Sequence, residues 1–137
     1  MAEEIPLCER VCEACTSKGG TPAVLSPEEC QQYKAQLCPS WEHMNTDKGD
    51  VLSRQFIAKN FQSAIDFLVE VGKLAENEGH HPDLHIVDYR TVIITIQTHS
   101  LKTLSLNDFI LASKTDQIKV VYSPKFLEGS PGILAGR

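Results

Sequence analysis

The segment Asn60–Pro82, NFQSAIDFLVEVGKLAENEGHHP, carries the strongest structural pattern in the chain. Its apolar residues recur at the spacing of one helix face, which predicts a helix over 60–77 that crosses the centre of the domain. That face comprises Phe61, Ala64, Ile65, Leu68 and Ala75, widened by Phe67, Val71 and Leu74. Gly79 is placed to end the helix in a left-handed cap, and Pro82 forces His81 toward an extended backbone.

Capping and strand patterns on either side predict the rest of the fold. Ser26, followed by Pro27 and two acidic residues, begins a helix that runs to about Leu37. Four runs predict strands over 41–44, 51–57, 85–88 and 91–98, with a turn at 45–50. On the last strand, Val92, Ile94 and Ile96 face one way, and Thr91, Ile93, Thr95, Gln97 and His99 the other.

The spacing from Ser105 to Asp108 is that of a capping box and predicts a final helix to about Val121. The element order is therefore α-β-β-α-β-β-α. It predicts an α+β fold in which a four-stranded antiparallel sheet has helices packed on one face. We divide the chain into an N-terminal arm with cysteines (1–25), the folded domain (26–122) and a flexible, Gly- and Pro-rich tail (123–137).

Composition excludes several classes of function. The chain has 137 residues, 42% hydrophobic and 23% charged, as expected for one soluble domain. The net charge of −5 and the absence of Lys/Arg clusters argue against direct binding of nucleic acid, and no apolar run is long enough to span a membrane. The acidic N-terminus lacks the apolar core of a signal peptide, so we expect a cytoplasmic protein, or an organellar one if a transit peptide was removed.

The five cysteines all precede residue 39, and this odd number makes a poor disulfide framework. Cys12-x-x-Cys15 is half of a zinc site or a redox pair, and no second pair follows it. A zinc site would need Cys8, Cys30 or a partner chain to supply further ligands. We expect an arm that is inert or binds metal weakly; a metal-binding protein built on this arm is an alternative interpretation.

Four of the five histidines, His80, His81, His85 and His99, lie within twenty residues. Adjacent histidines on an extended chain point to opposite sides, which argues against shared metal chelation. No serine or cysteine lies in a recognisable nucleophile motif beside them. General acid–base catalysis needs only what is present, because imidazole gives and takes protons near neutral pH. The competing interpretation is that these are ordinary polar residues near a turn.

The pattern Glu76-x-x-x-His80-His81-Pro82, followed by Tyr89, His99 and Asp108, resembles the motif of the pterin-4a-carbinolamine dehydratases. The resemblance covers roughly residues 26–120. The stretches HHPDLH (80–85) and NDFILA (107–112) are similar to the plant and bacterial branch of that family.

The resemblance implies an oligomeric enzyme, dimer or tetramer, of α+β fold. The implied reaction is loss of water from 4a-hydroxytetrahydropterin to give quinonoid dihydropterin, in tetrahydrobiopterin recycling beside an aromatic amino-acid hydroxylase. It implies no metal and no tightly held cofactor, and it assigns catalysis to His80, His81 and His99. Residues implied to touch the pterin are Gly79, His80, His81, Gln97, Thr98, His99 and Ser100.

Other residues are predicted to support these histidines. Glu76 either bonds a catalytic histidine or is a solvated residue at a helix end, while Pro82 is structural. Asp108 is interpreted mainly as a helix cap because of Ser105. We expect His80 and His99 to contact the reacting face of the substrate, with His81 orienting the ring or carrying a second proton.

The alternative function is a non-catalytic dimerisation or assembly partner on the same fold. Family members also partner a transcription factor, and related proteins help to assemble a photosynthetic enzyme. Retention of all three histidines favours the enzyme. Oligomers are expected in either case, because an open sheet leaves unpaired edges. The predicted helix to Val121 also carries more apolar surface than one monomer needs: Phe109, Ile110, Ile118, Val120 and Val121.

Overall fold

The computed structural model describes Leu7 and residues 24–129. The elements, in chain order, are α1 (Pro27–Lys34), β1 (Trp41–Thr46), β2 (Gly49–Ile57), α2 (Phe61–Glu78), β3 (Asp83–Val87), β4 (Thr91–Ile96), α3 (Leu106–Thr115) and α4 (Pro124–Glu128). The four strands form one antiparallel sheet in the order β1-β2-β4-β3. The predicted α+β class and four-stranded antiparallel sheet are therefore confirmed.

The core lies between one face of this sheet and the helices. Strands β2 and β4 are paired so that Arg54 lies opposite Ile94, and the apolar pairs Leu52–Ile96 and Phe56–Val92 lie two positions away on the same face. The predicted shared face of β4 is confirmed and is the inward one, since Val92, Ile94 and Ile96 are fully buried. The helices contribute apolar side chains to the same cluster: Ala64, Phe67, Val71, Phe109, Ile110, Leu111 and Ala112.

Helix α2 begins and ends as its sequence predicts. The side chain of Asn60 accepts a hydrogen bond from the Ser63 backbone amide at 2.8 Å, which caps the N-terminus. At the other end Gly79 adopts a left-handed conformation with φ of 67°. The buried stripe is displaced from the predicted one: Phe61 is largely exposed, whereas Phe67 and Val71 are buried.

Helix α3 ends at Thr115 rather than at Val121. The reason is Asp116, whose carboxylate accepts hydrogen bonds from the Cys38 backbone amide and the Trp41 indole, both at 2.8 Å. These bonds hold the end of the helix against the start of β1. Phe109 and Ile110 are buried within the monomer, so the argument for oligomers from a long apolar final helix was wrong.

Strand limits also differ from the prediction. The first hairpin turns within Asp47-Lys48, so β1 and β2 are both longer than expected. Strand β4 ends at Ile96, not Thr98, and across the following turn the Thr98 backbone amide donates to the Thr103 carbonyl at 3.1 Å. His99 therefore lies in a turn and not at the end of a strand.

Residues 123–129, predicted to begin a flexible tail, contain the short helix α4 (Pro124–Glu128) with Ser123 and Gly129 as its caps. The Ser123 backbone amide donates to the Ile57 carbonyl at 2.9 Å. Phe126 stacks on Tyr122. On the N-terminal side, Leu7 packs into the core with 1% of its surface exposed, while Cys8, Cys12 and Cys15 lie outside the described residues. None of the helices that the structure describes has the length and apolar character needed to cross a membrane.

Candidate active site

The two adjacent histidines diverge after the left-handed cap of α2. Gly79 turns the chain, and the His80 backbone amide still donates to the Ala75 carbonyl at 3.3 Å. His80 is only 5% exposed, whereas 60% of the His81 side chain is exposed. The two imidazoles therefore lie in different surroundings. Among the described residues, no group of three or more His, Cys, Asp or Glu side chains is arranged to hold a metal ion.

His80 is held by a fully buried carboxylate. Its Nε2 lies 2.6 Å from Oδ1 of Asp108, which has no exposed surface. The other oxygen of Asp108 accepts hydrogen bonds from the Thr98 hydroxyl and the Ser105 backbone amide, both at 2.8 Å. An ionised carboxylate can only accept, so in this arrangement Nε2–H of His80 is the donor and Nδ1 is the atom left for other partners.

Asp108 therefore combines two functions. The bond from the Ser105 amide is the predicted cap of α3, and the bond to His80 fixes the orientation of that imidazole. Thr98 joins the same network, because its hydroxyl also lies 2.6 Å from the Ser105 hydroxyl. Sequence spacing indicates the cap but carries no sign that Thr98 and Ser105 belong to the surroundings of His80.

His81 has its own carboxylate at the surface. Its Nε2 lies 2.5 Å from Oε2 of Glu76, and both side chains are mostly exposed. Of the two interpretations left for Glu76, the structure supports contact with a motif histidine. That histidine is His81, five residues after Glu76 and beyond the end of α2.

The end of α2 is also joined to α3 by an ion pair that no local sequence pattern indicates. Lys114 Nζ donates to Glu78 Oε2 at 2.6 Å, and both side chains are mostly buried. Together with the bond between His80 and Asp108, this pair connects the last turn of α2 to α3 at two points. The residues before and after Gly79 are thereby fixed relative to α3.

His99 lies in the turn after β4, directly after Thr98. The turn is closed by donation from the Lys102 amide to the Thr98 carbonyl at 3.0 Å, and His99 and Ser100 are exposed on it. Thr98, next to His99, is bonded to Asp108. The turn that carries His99 is thus linked through one carboxylate to His80.

The other predicted contact residues have different surroundings. Gln97 is buried, and its Nε2 donates to the backbone carbonyls of Lys48 at 2.8 Å and Asp50 at 3.2 Å. Thr98 is fully buried with its hydroxyl bonded within the protein. His85 is exposed on β3 opposite Ile93, on the face of the sheet directed away from the core.

A separate polar groove lies between α1 and the first hairpin. Its cavity of about 630 Å³ is lined by Cys30, Gln31, Lys34, His43, Asn45 and Asp50. Hydrogen bonds from Asn45 and His43 hold the pKa of the Asp50 carboxyl below its ordinary value. Burial raises the pKa of the Cys30 thiol, and nearby carboxylates add to that rise.

Known proteins resemble the chain over the region that contains these histidines. The family model described as pterin 4 alpha carbinolamine dehydratase matches residues 23–118. A protein of Alkaliphilus metalliredigens, provisionally named a pterin-4-alpha-carbinolamine dehydratase, is 40% identical over 111 residues, covering 81% of this chain and 94% of that protein.

A plant protein and a solved structure extend the comparison. The mitochondrial pterin-4-alpha-carbinolamine dehydratase 2 of Arabidopsis thaliana is 40% identical over 93 residues, covering 68% of this chain and 50% of that protein. The crystal structure of a transcriptional coactivator/pterin dehydratase from Brucella melitensis aligns with a TM-score of 0.61 at 26% identity, covering 68% of this chain and 95% of that one.

Proposed function

The chain belongs to the pterin 4 alpha carbinolamine dehydratase family, and we propose that it dehydrates a 4a-hydroxytetrahydropterin to quinonoid dihydropterin. The observation that carries the proposal is the buried contact between His80 and Asp108, two positions of the motif that the resemblance rests on. A buried carboxylate behind an imidazole is a common means of fixing the tautomer of a proton-transfer group.

The reaction requires one acid and one base. Hydroxide leaves C4a readily only if it is protonated as it departs, and N5 must lose its proton. In the proposal His80 and His99 fill these two roles on the reacting part of the pterin. His80 acts through Nδ1, because its Nε2 is bonded to Asp108. His81, beside Glu76, orients the ring. The histidines supply all proton transfer, so the proposal includes neither metal nor bound cofactor.

Substrate contacts are proposed for the buried His80 and for four exposed positions near these imidazoles. The exposed positions are Gly79, His81, His99 and Ser100. Gln97 and Thr98, which the resemblance also implies as contacts, are proposed instead as supports, since their side chains are bonded to protein atoms. Pro82, which follows His81, is proposed to have a structural role and no contact with the substrate.

The proposal is tested by the rate of 4a-carbinolamine dehydration with and without the protein. His80→Ala and His99→Ala are each expected to lower kcat by about 10²–10⁴-fold, the contribution of a positioned proton-transfer group. His85→Ala is the matched control, because it removes an exposed imidazole on the other face of the sheet. Full activity in both site variants would refute the assignment of residues, and a wild-type protein that does not accelerate the reaction would refute the function.

A second candidate is a non-catalytic partner protein on the same fold. The name of the Brucella structure, a transcriptional coactivator/pterin dehydratase, favours it. The dehydration assay separates the two functions, since a scaffold gives no rate enhancement and does not depend on His80.

We also propose that the protein forms homodimers or homotetramers and takes part in tetrahydrobiopterin recycling beside an aromatic amino-acid hydroxylase. The two edge strands, β1 and β3, leave unpaired backbone groups that a second copy would cover. Mass measurement in solution at micromolar concentration tests this, and a strict monomer would contradict it. The proposed location is the cytoplasm or, as in the name of the Arabidopsis relative, an organelle; cell fractionation decides between them.

A further inference from the structure

The first hairpin touches the turn that carries His99 at an unusually close point. Gly49, at the start of β2, has φ of 104°, and a β-carbon on it would lie 1.8 Å from the Lys102 carbonyl oxygen. Real β-carbons never approach so closely. Only glycine therefore fits at this position, for reasons of both backbone conformation and space.

A side chain from the end of β4 bonds to the hairpin at the same place. Gln97 is buried, and its Nε2 donates to the Lys48 and Asp50 carbonyls, on either side of Gly49. The hairpin is thus joined to residues that precede and follow His99, by hydrogen bonds from Gln97 and by backbone contact at Lys102.

The His99 turn is held from two directions. On one side the Thr98 hydroxyl donates to Asp108, which also holds His80. On the other side the turn rests against Gly49. Lys102 itself has φ of 54°, a conformation that non-glycine residues seldom adopt. A strained backbone of this kind persists where its surroundings determine it.

We infer that the β1–β2 hairpin positions His99 for catalysis, with Gly49 and Gln97 as the positioning residues. Neither residue touches the substrate in this account. The inference rests on the proposed function. It assigns a role in that function to the hairpin turn, which contains none of the motif residues.

The turn, rather than the hairpin, would move if Gly49 gained a side chain. Strand β2 is paired with β1 along six positions and with β4 along six more. Among the described residues, the 99–102 turn is closed by backbone hydrogen bonds from the Leu101 and Lys102 amides, and His99, Ser100 and Lys102 on it are exposed. We therefore expect a methyl group at position 49 to displace the Lys102 carbonyl and to shift the turn that carries His99.

Gly49→Ala, compared with Gly72→Ala, tests the inference. Gly72 lies in α2 with no atom within 4 Å of the space that a β-carbon would occupy. In Gly49→Ala we expect the NMR ring signal of His99 to move while that of His80 stays in place. We expect kcat to fall about tenfold to a hundredfold, with a smaller change in KM, since misplacement of a catalytic group by about 1 Å has such an effect. Gly72→Ala should leave the His99 signal, kcat and KM unchanged.

Gln97→Met decides the outcome if Gly49→Ala fails to fold. It keeps the length of the side chain and removes both hydrogen bonds, and it should move the His99 signal in the same sense. If the folded variants leave the His99 signal and kcat unchanged, the inference is wrong. The NMR signal does not depend on turnover, so a wild-type protein without dehydratase activity would refute the proposed function and still leave the positioning of His99 measurable.

Discussion

His80 and Asp108, 28 residues apart in sequence, meet through Nε2 and Oδ1 at 2.6 Å. The same carboxylate accepts the Ser105 amide at the N-terminus of α3. The orientation of the imidazole and the beginning of the helix therefore depend on one side chain. We therefore expect a change at Asp108 to affect both the proposed chemistry and the stability of the protein.

Asp108→Asn should lower both activity and stability. Asparagine keeps the size but offers one acceptor oxygen in place of two, so His80 or the pair of Thr98 and Ser105 loses its partner. We expect kcat to fall by up to about 10²–10⁴-fold. We expect the free energy of unfolding to fall by about 1.5–3 kcal/mol, the effect of a hydrogen bond to a charged group.

The measurements are dehydration kinetics and urea unfolding, with Asp88→Asn as the control. Asp88 is an exposed turn residue with φ of 49°, which asparagine also tolerates. Wild-type kcat in Asp108→Asn would show that the contact with His80 does not serve catalysis.

Arg54 and Asp116 should show strong energetic coupling. Arg54 is fully buried on β2, and its guanidinium donates to Asp116 at 3.1 Å and to the Tyr122 hydroxyl at 2.7 Å. Asp116→Asn leaves the cation without its counter-charge, so we expect the free energy of unfolding to fall by about 3–5 kcal/mol.

The double variant Arg54→Met/Asp116→Asn should be more stable than Asp116→Asn alone, because it removes the unpaired charge. Urea unfolding of the wild type, both single variants and the double variant gives the coupling energy. Additive losses would mean that the two charges do not interact in the folded protein.

Gly79→Ala isolates the contribution of the left-handed cap of α2. Nothing lies within 4 Å of a β-carbon at this position, so the loss comes from backbone conformation alone. A left-handed alanine should lower the free energy of unfolding by about 1–2 kcal/mol. Gly72→Ala, in the interior of the same helix, should raise it by about 0.5–1 kcal/mol. Thermal unfolding of the two variants measures both effects. A stabilised Gly79→Ala or a destabilised Gly72→Ala would contradict the prediction.

Asp50 should make the free energy of unfolding depend on pH in the acidic range. Hydrogen bonds from Asn45 and His43 hold its pKa below the ordinary value of 3.8 in the folded protein. A lowered carboxyl pKa stabilises the fold at pH above the unfolded value, and this contribution is lost as pH falls through the folded value. Asp50→Asn should therefore be less stable than wild type at pH 6, and the difference should shrink below about pH 4.

Unfolding free energies measured from pH 6 to 3 test this, with Asp47→Asn in the same hairpin as the charge-matched control. A difference between Asp50→Asn and wild type that stays constant over this range would contradict the expected linkage. Because the Asp50 side chain is about one-third exposed, solvent screening keeps the effect small.

The sequence predicted those features of the fold that depend on contacts between residues close together in the chain. The limits of α2 follow from Asn60 and Gly79, which act within one turn of the helix. The end of α3 was missed because Asp116 is held by residues 62 to 78 positions away, Arg54, Trp41 and Cys38. No pattern within a short window records such contacts.

The candidate site shows the same limit of prediction from local sequence. The motif named His80, His81, His99 and Asp108, but their partners became visible only in three dimensions. Gln97 was expected to contact the pterin because the family resemblance implied it. Strand β4 stops at Ile96, and the Gln97 side chain bonds to the first hairpin.

The region matched by the family model, 23–118, is shorter than the unit that packs together. Leu7 precedes it and is almost wholly enclosed by the core, and Tyr122 follows it and accepts a hydrogen bond from Arg54. A fragment cut to the homologous limits would have a void in place of Leu7 and a guanidinium short of one acceptor. Fragments designed for expression should therefore extend outward on both sides, from before Leu7 to beyond Phe126.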